Sequence, residues 1–160
     1  MRPSDPSFET ALQAAIDSKT KPLGALGRIE GLAAQIARVQ RSLAPVMDAC
    51  RLTIFAGDHG IASEGVSAYP QAVTRQMVLN FLGGGAAANV FARANGVEVA
   101  VVDAGVAREV LEHPDLISVR IGAGTANSAA GPAMTAAEVE RALAEGRRLG
   151  VAGNCLAVAF

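Results

Sequence analysis

Leu52-Thr53-Ile54-Phe55-Ala56, closed by Gly57-Asp58-His59-Gly60, decides the fold class of this 160-residue chain. The run is short, nearly all apolar and bounded by turn-forming residues. It lacks the in–out alternation of a strand with one wet face, so it reads as a strand of a parallel sheet, covered on both sides. The same signature recurs downstream. Val97 to Val102 ends in Asp103-Ala104-Gly105, Leu116 to Ile121 ends in Gly122-Ala123-Gly124, and Leu156 to Phe160 is a fourth apolar run.

Helical patterns alternate with these strands. Gln71 to Leu82 sets Val73, Met77, Val78 and Phe81 near one face, and Ala86 to Ala94 resumes after Gly83-Gly84-Gly85. The triple glycine matches neither a dinucleotide fingerprint nor a P-loop, and it follows a helix, so it reads as a break between two helices. Thr135-Ala136-Ala137-Glu138 has the capping-box spacing and opens a helix through Leu149. Strand–helix–strand repetition of this kind predicts an α/β fold with an open, mostly parallel sheet, Rossmann-like and incomplete.

Upstream the pattern is helical only. Asp5-Pro6 is a helix start with Pro in the first turn, and Phe8, Leu12 and Ile16 follow four residues apart. Lys19 to Gly27 is a connector. Leu26, Ile29, Ala33, Ile36 and Gln40 then mark an amphipathic helix of about four turns, widened by Leu32, Val39 and Leu43. The expected organisation is an N-terminal helical extension (1–50) ahead of a truncated parallel α/β domain (51–160).

Composition narrows the function classes. Hydrophobic residues are 51% of the chain, charged ones 18%, and 33 residues are alanine, so packing relies on close contact between small side chains. Fourteen basic against fifteen acidic residues leave no excess of cations for a nucleic-acid backbone. Cys50 and Cys155 form no metal-ribbon spacing and fit a reducing compartment. No apolar run reaches the ~18 residues of a membrane span, and the first ten residues have no signal-peptide core. A cytoplasmic location is the expectation, with no nucleic acid and no membrane as partner.

Three strands end in Gly/Asp-rich loops, at 56–60, 103–106 and 122–127. Ligands of open α/β sheets bind beyond the carboxyl ends of the strands, so these loops define the expected functional rim. Any one of them reads equally as a tight turn; three together point to a site. Asp58-His59 places an acid beside a histidine in the first of these loops, and its only companion histidine is His113, too little for a metal site. Tyr69, the single tyrosine, precedes Pro70 in a polar loop and suits a ligand wall. Met77 and Phe81 read as core by default. Glu64 is the glutamate nearest the rim, in a loop where solvation is the ordinary fate.

The blocks K-P-L-G-A-L-G-R-I-E (21–30), F-A-G-D-H-G-I-A-S-E-G-V-S-A-Y-P (55–70), V-T-R-Q-M (73–77), V-V-D-A-G-V (101–106) and G-T-A-N-S-A-A-G-P-A-M-T (124–135) together resemble the nicotinate-nucleotide–dimethylbenzimidazole phosphoribosyltransferases of cobalamin lower-ligand synthesis. The resemblance covers most of residues 19–149. It implies transfer of phosphoribose from nicotinate mononucleotide to 5,6-dimethylbenzimidazole, giving α-ribazole 5′-phosphate and nicotinate, with no cofactor and no metal. It also implies an apolar base slot involving Asp58, His59, Tyr69 and Met77. Asp103, Gly105, Gly124 and Asn127 on the neighbouring loops would share the same rim.

Two family features are absent from residues 1–160: the G-E-[ML]-G segment associated with the nicotinate nucleotide, and the catalytic glutamate. The expectation is therefore an impaired enzyme with no catalytic residue of its own. The alternatives are a non-catalytic benzimidazole-binding or interaction module, or a functionless shortened product. An uncovered strand at 156–160 further predicts self-association, as a homodimer or otherwise.

Overall fold

The computed structural model describes residues 5–107, 109 and 111–150, and the backbone of 154–159. The chain divides into two compact units, Met1–Met47 and Asp48–Phe160.

The first unit is a helix pair. Helix α1 (Pro6–Asp17) starts at Asp5, whose carboxylate accepts from the Ser7 N–H, with Pro at the first helical position. This cap satisfies an N–H that the helix itself leaves without a partner. Helix α2 (Arg28–Gln40) ends where Arg41 adopts a left-handed conformation, φ 50°. Helix α2 is shorter at both ends than its apolar pattern predicts, and the Arg41 turn accounts for the C-terminal end. Phe8, Leu12 and Ile16 of α1 pack on Ala34 and Ala37 of α2, where small side chains allow close approach. The larger apolar residues Ile29, Leu32 and Val39 are exposed. Before α2, the Lys21 ammonium lies 2.9 Å from Glu30 Oε1. The Leu26 N–H donates to the same oxygen at 3.0 Å, closing the connector.

The second unit carries a four-stranded sheet in the order β3-β2-β1-β4, with every pairing parallel. Strand β1 (Cys50–Gly57) is central, flanked by β2 (Glu98–Gly105) and β4 (Asn154–Ala159); β3 (Leu116–Ser118) lies beyond β2. Phe160, the last residue of the expected fourth strand, lies outside the described residues. Helices α3 (Ala72–Leu82) and α4 (Ala87–Ala94) connect β1 to β2, and α5 (Ala136–Leu149) connects β3 to β4. The strand order switches sides between β1 and β4, and in open α/β sheets ligands bind beyond the carboxyl ends of the strands at such a point.

The core sits between the sheet and α3. Ala56 and Val101 pack with Val78, Val106 and Leu111. Gly83 to Gly85 part α3 from α4, and the break is closed by side chains: Asn89 Nδ2 donates to the Phe81 carbonyl at 3.0 Å and Arg93 Nη1 to that of Gly84 at 2.9 Å. Strand β3 stops at Ser118, three residues earlier than its apolar run. The backbone beyond it still hydrogen-bonds to β2, through Val119 N–H to the Asp103 carbonyl and Ile121 N–H to that of Ala104.

Candidate functional site

The carboxyl end of β1 is the hub of the rim. Asp58 is 3% exposed, and it joins three other segments. Its N–H donates to the Gly105 carbonyl at 2.9 Å, and its carbonyl accepts from the Thr125 N–H at 3.0 Å. The carboxylate accepts from Thr74 Oγ1 on α3 and from the Ala107 N–H, each at 2.7 Å. Both oxygens of this buried carboxylate are thus satisfied by protein donors, as burial of a polar group requires.

Gly60 and Gly124 make the approach of these loops possible. The Gly60 N–H donates to the Thr125 carbonyl at 3.1 Å. Gly124 has φ +89°, and a Cβ there would lie 3.1 Å from the Asp58 carbonyl oxygen. After Gly60 the chain turns through a short 3-10 helix, Gly60–Glu64, which the sequence pattern did not reveal.

Two cavities flank this hub. One, of about 320 Å³, lies against Gly57, Gly105, Gly122 and Gly124 and is closed by Met134, Thr135 and Glu138. The other, of about 300 Å³, is walled by Ile61, Val66, Tyr69, Pro70 and Met77. Gly57, Asp58 and His59 line both. His59 is exposed, and Gln71 Nε2 donates to its carbonyl at 3.0 Å.

The residues expected at the site divide accordingly. Asp58, His59, Gly105 and Gly124 meet at the first cavity; Asp58, His59, Tyr69 and Met77 meet at the second. Tyr69 is 71% exposed and Met77 half-buried. Asp103 and Asn127 are not among the lining residues of either. Asp103 is 1% exposed; its Oδ1 accepts from the N–H groups of Gly105 (3.0 Å) and Val106 (2.9 Å), and its Oδ2 lies 3.9 Å from Arg120 Nη1. Asn127 Nδ2 donates to Glu64 Oε1 at 2.6 Å, pinning the 122–127 loop to the 3-10 helix.

Three participants were not singled out from sequence. Thr74 and Ala107 hold Asp58 across 16 and 49 residues of chain, a pairing no local pattern encodes. Glu138 lines the first cavity from the start of α5. Its spacing from Thr135 signalled the helix cap, and the cap is present in full. The Thr135 N–H, then its hydroxyl, hold the Glu138 carboxyl below its ordinary value, with the Arg141 charge adding to the effect. Arg141 also reaches the carbonyl of Ile121 at 3.4 Å, seating α5 over the rim.

Among the described residues, no group of three or more His, Cys, Asp or Glu is placed to hold a metal ion. No helix among them is long and apolar enough to cross a membrane.

Comparison with known proteins gives a consistent picture. A family profile described as phosphoribosyltransferase matches residues 1–155. A protein of Ralstonia nicotianae named nicotinate-nucleotide–dimethylbenzimidazole phosphoribosyltransferase is 58% identical over 144 residues, which are 89% of this chain and 41% of that protein. A protein of the same name from Dechloromonas aromatica is 52% identical over 160 residues, 98% of this chain and 46% of its own length. The crystal structure of the Thermus thermophilus protein of that name superposes with a TM-score of 0.85 at 44% identity, covering 98% of this chain and 49% of that one. The chain thus spans less than half the length of each of these relatives.

Proposed function

This chain belongs to the phosphoribosyltransferase family, and on that premise we propose that it takes part in transfer of phosphoribose from nicotinate mononucleotide to 5,6-dimethylbenzimidazole. The products are α-ribazole 5′-phosphate and nicotinate. The observation that carries this reading is the pair of cavities sharing Gly57, Asp58 and His59. A group transfer needs donor and acceptor held side by side, with the reacting atoms near contact. The cavity with Tyr69, Val66, Ile61 and Met77 suits a flat, apolar bicyclic base. The glycine-lined cavity suits the nucleotide, because glycine lets a ligand approach the backbone closely. His59, Gly105 and Gly124 border the ligands in this reading; Asp103 and Asn127 hold the rim from behind.

Activity of the 160 residues alone is tested by incubating the purified chain with both substrates and measuring α-ribazole 5′-phosphate, beside a full-length relative. Turnover establishes the complete reaction. A second reading, base binding without turnover, is favoured by the carboxylates that line the cavities. Both oxygens of Asp58 and one of Glu138 already accept hydrogen bonds from protein donors. Dimethylbenzimidazole binding in the absence of product would support it.

The 3-2-1-4 strand order supports a Rossmann-like classification of the sheet. The exposed residues Ile29, Leu32 and Val39 of α2 support self-association, which light scattering would measure. A cytoplasmic location without nucleic-acid or membrane partners accords with the near-zero net charge of -1.

A further inference from the structure

We propose that Asp58 is a positioning residue and not a ligand of either substrate: its carboxylate latches α3 to the 105–107 loop and so fixes the wall between the two cavities. The inference deepens the two-cavity reading and rests on it for its functional arm. Its structural basis is independent of that reading. Asp58 is 3% exposed, Oδ1 accepts from Thr74 Oγ1 and Oδ2 from the Ala107 N–H, each at 2.7 Å. These are short, charge-assisted bonds to partners on two different segments.

The neighbouring loop shows why such a latch is needed. Three successive N–H groups, of Gly105, Val106 and Ala107, leave the end of β2. Asp103 accepts the first two and Asp58 the third. Asp103 belongs to β2 itself, so its bonds shape the turn locally. Asp58 directly follows β1, so its bond fixes where that turn lies relative to His59. The bond from Thr74 sets α3, and with it Met77 one turn further along, relative to the same wall.

Hydrogen-bond chemistry makes the role testable. An ionised carboxylate only accepts, whereas a threonine hydroxyl donates or accepts as it rotates. Asparagine at position 58 can therefore keep both links: its carbonyl oxygen accepts from the Ala107 N–H, and its amide donates to a rotated Thr74 hydroxyl. A carboxylate that acted on substrate as a base or anionic ligand could not be replaced in this way.

The experiment compares the chain with its Asp58→Ala, Asp58→Asn and Thr74→Val variants. Hydrogen exchange of the Ala107 amide reads the latch, and fluorescence titration with 5,6-dimethylbenzimidazole reads the cavity. In Asp58→Ala, protection of Ala107 and base affinity are expected to fall about tenfold or more, the effect of removing a hydrogen bond to a charged group. Asp58→Asn is expected to restore most of both. Thr74→Val removes one link only and should weaken base binding while Ala107 stays protected.

The proposal is overturned if Asp58→Asn keeps Ala107 protected yet loses the base, which would make the carboxylate a ligand. It is equally overturned if Asp58→Ala changes neither measurement. If the unaltered chain binds no base, the functional reading fails, and Ala107 exchange in Asp58→Ala against Asp58→Asn and the unaltered chain decides the latch alone. If Asp58→Ala does not fold, the asparagine and Thr74 variants carry the same decision.

Discussion

The α-carbon of Gly60 lies directly against the peptide between Ala126 and Asn127: a Cβ on Gly60 would fall 2.6 Å from the Ala126 carbonyl carbon and 2.6 Å from the Asn127 nitrogen. Both neighbours are backbone, so no side-chain rotation relieves the overlap. Gly60→Ala must push the 122–127 loop away from β1. A destabilisation of roughly 1–3 kcal/mol is expected, seen as a lower urea midpoint. The loop displacement should also open the cavity bordered by Gly124.

Two other glycines separate strain from crowding. Gly65 has φ +73° and open space around it, whereas Gly124 has φ +89° and the Asp58 carbonyl 3.1 Å from its would-be Cβ. Alanine at 65 should cost about 1–2 kcal/mol, the left-handed penalty alone. Alanine at 124 carries the contact as well, so its midpoint should lie below that of Gly65→Ala. Equal midpoints would mean that the Asp58 loop yields freely.

Tyr69 distinguishes a ligand wall from a structural residue. It is 71% exposed, so Tyr69→Ala should leave the melting temperature nearly unchanged. Loss of an aromatic partner for a bound base should weaken dimethylbenzimidazole binding by roughly 3- to 10-fold, about 0.5–1.5 kcal/mol. Unchanged affinity would remove Tyr69 from the site.

The cap of α5 makes a pH-dependent prediction. Thr135 holds the Glu138 carboxyl below its ordinary value in the folded chain. A depressed carboxylate stabilises the fold above its unfolded-state value, and this contribution is lost as the pH falls through the lower folded-state value. Thr135→Ala keeps the backbone N–H that is the larger cause and removes only the hydroxyl, so it should lower stability at neutral pH by about 1 kcal/mol for the lost side-chain cap. The part of the difference that comes from the hydroxyl-to-carboxylate bond should shrink on acidification, while the part from the Glu138 N–H cap should remain. Urea midpoints of both proteins, at neutral and acidic pH, measure it.

The parts of this fold legible in sequence are those whose signal is local. Leu52 to Ala56 declared a buried strand because Thr53 alone interrupts its apolar run, and Thr135 with Glu138 declared a helix start at the right residue. Helix α2 was legible as a helix, yet its burial was not. The packing face is Ala34 and Ala37, while the bulkier Ile29 and Leu32 are exposed. Closeness of backbone approach decided that contact, and hydrophobic periodicity carries no information about it. The rim glycines could be read as turns or as a site; only their contacts with distant backbone distinguish Gly60 from Gly65. The Thr74–Asp58–Ala107 arrangement was illegible for the same reason, being made by segments that meet only after the sheet forms.

The shared wall has a consequence for how such a protein can change. Met134 and Glu138 belong to one cavity, Tyr69 and Met77 to the other, while Gly57, Asp58 and His59 belong to both. On the proposed reading of one substrate per cavity, substitutions at the outer positions would retune one ligand preference without disturbing its counterpart. On the same reading, any alteration of the central tripeptide is pleiotropic, altering recognition of both ligands together. Diversification of base preference, in nature or by directed evolution, should therefore accumulate at the periphery and leave residues 57–59 fixed.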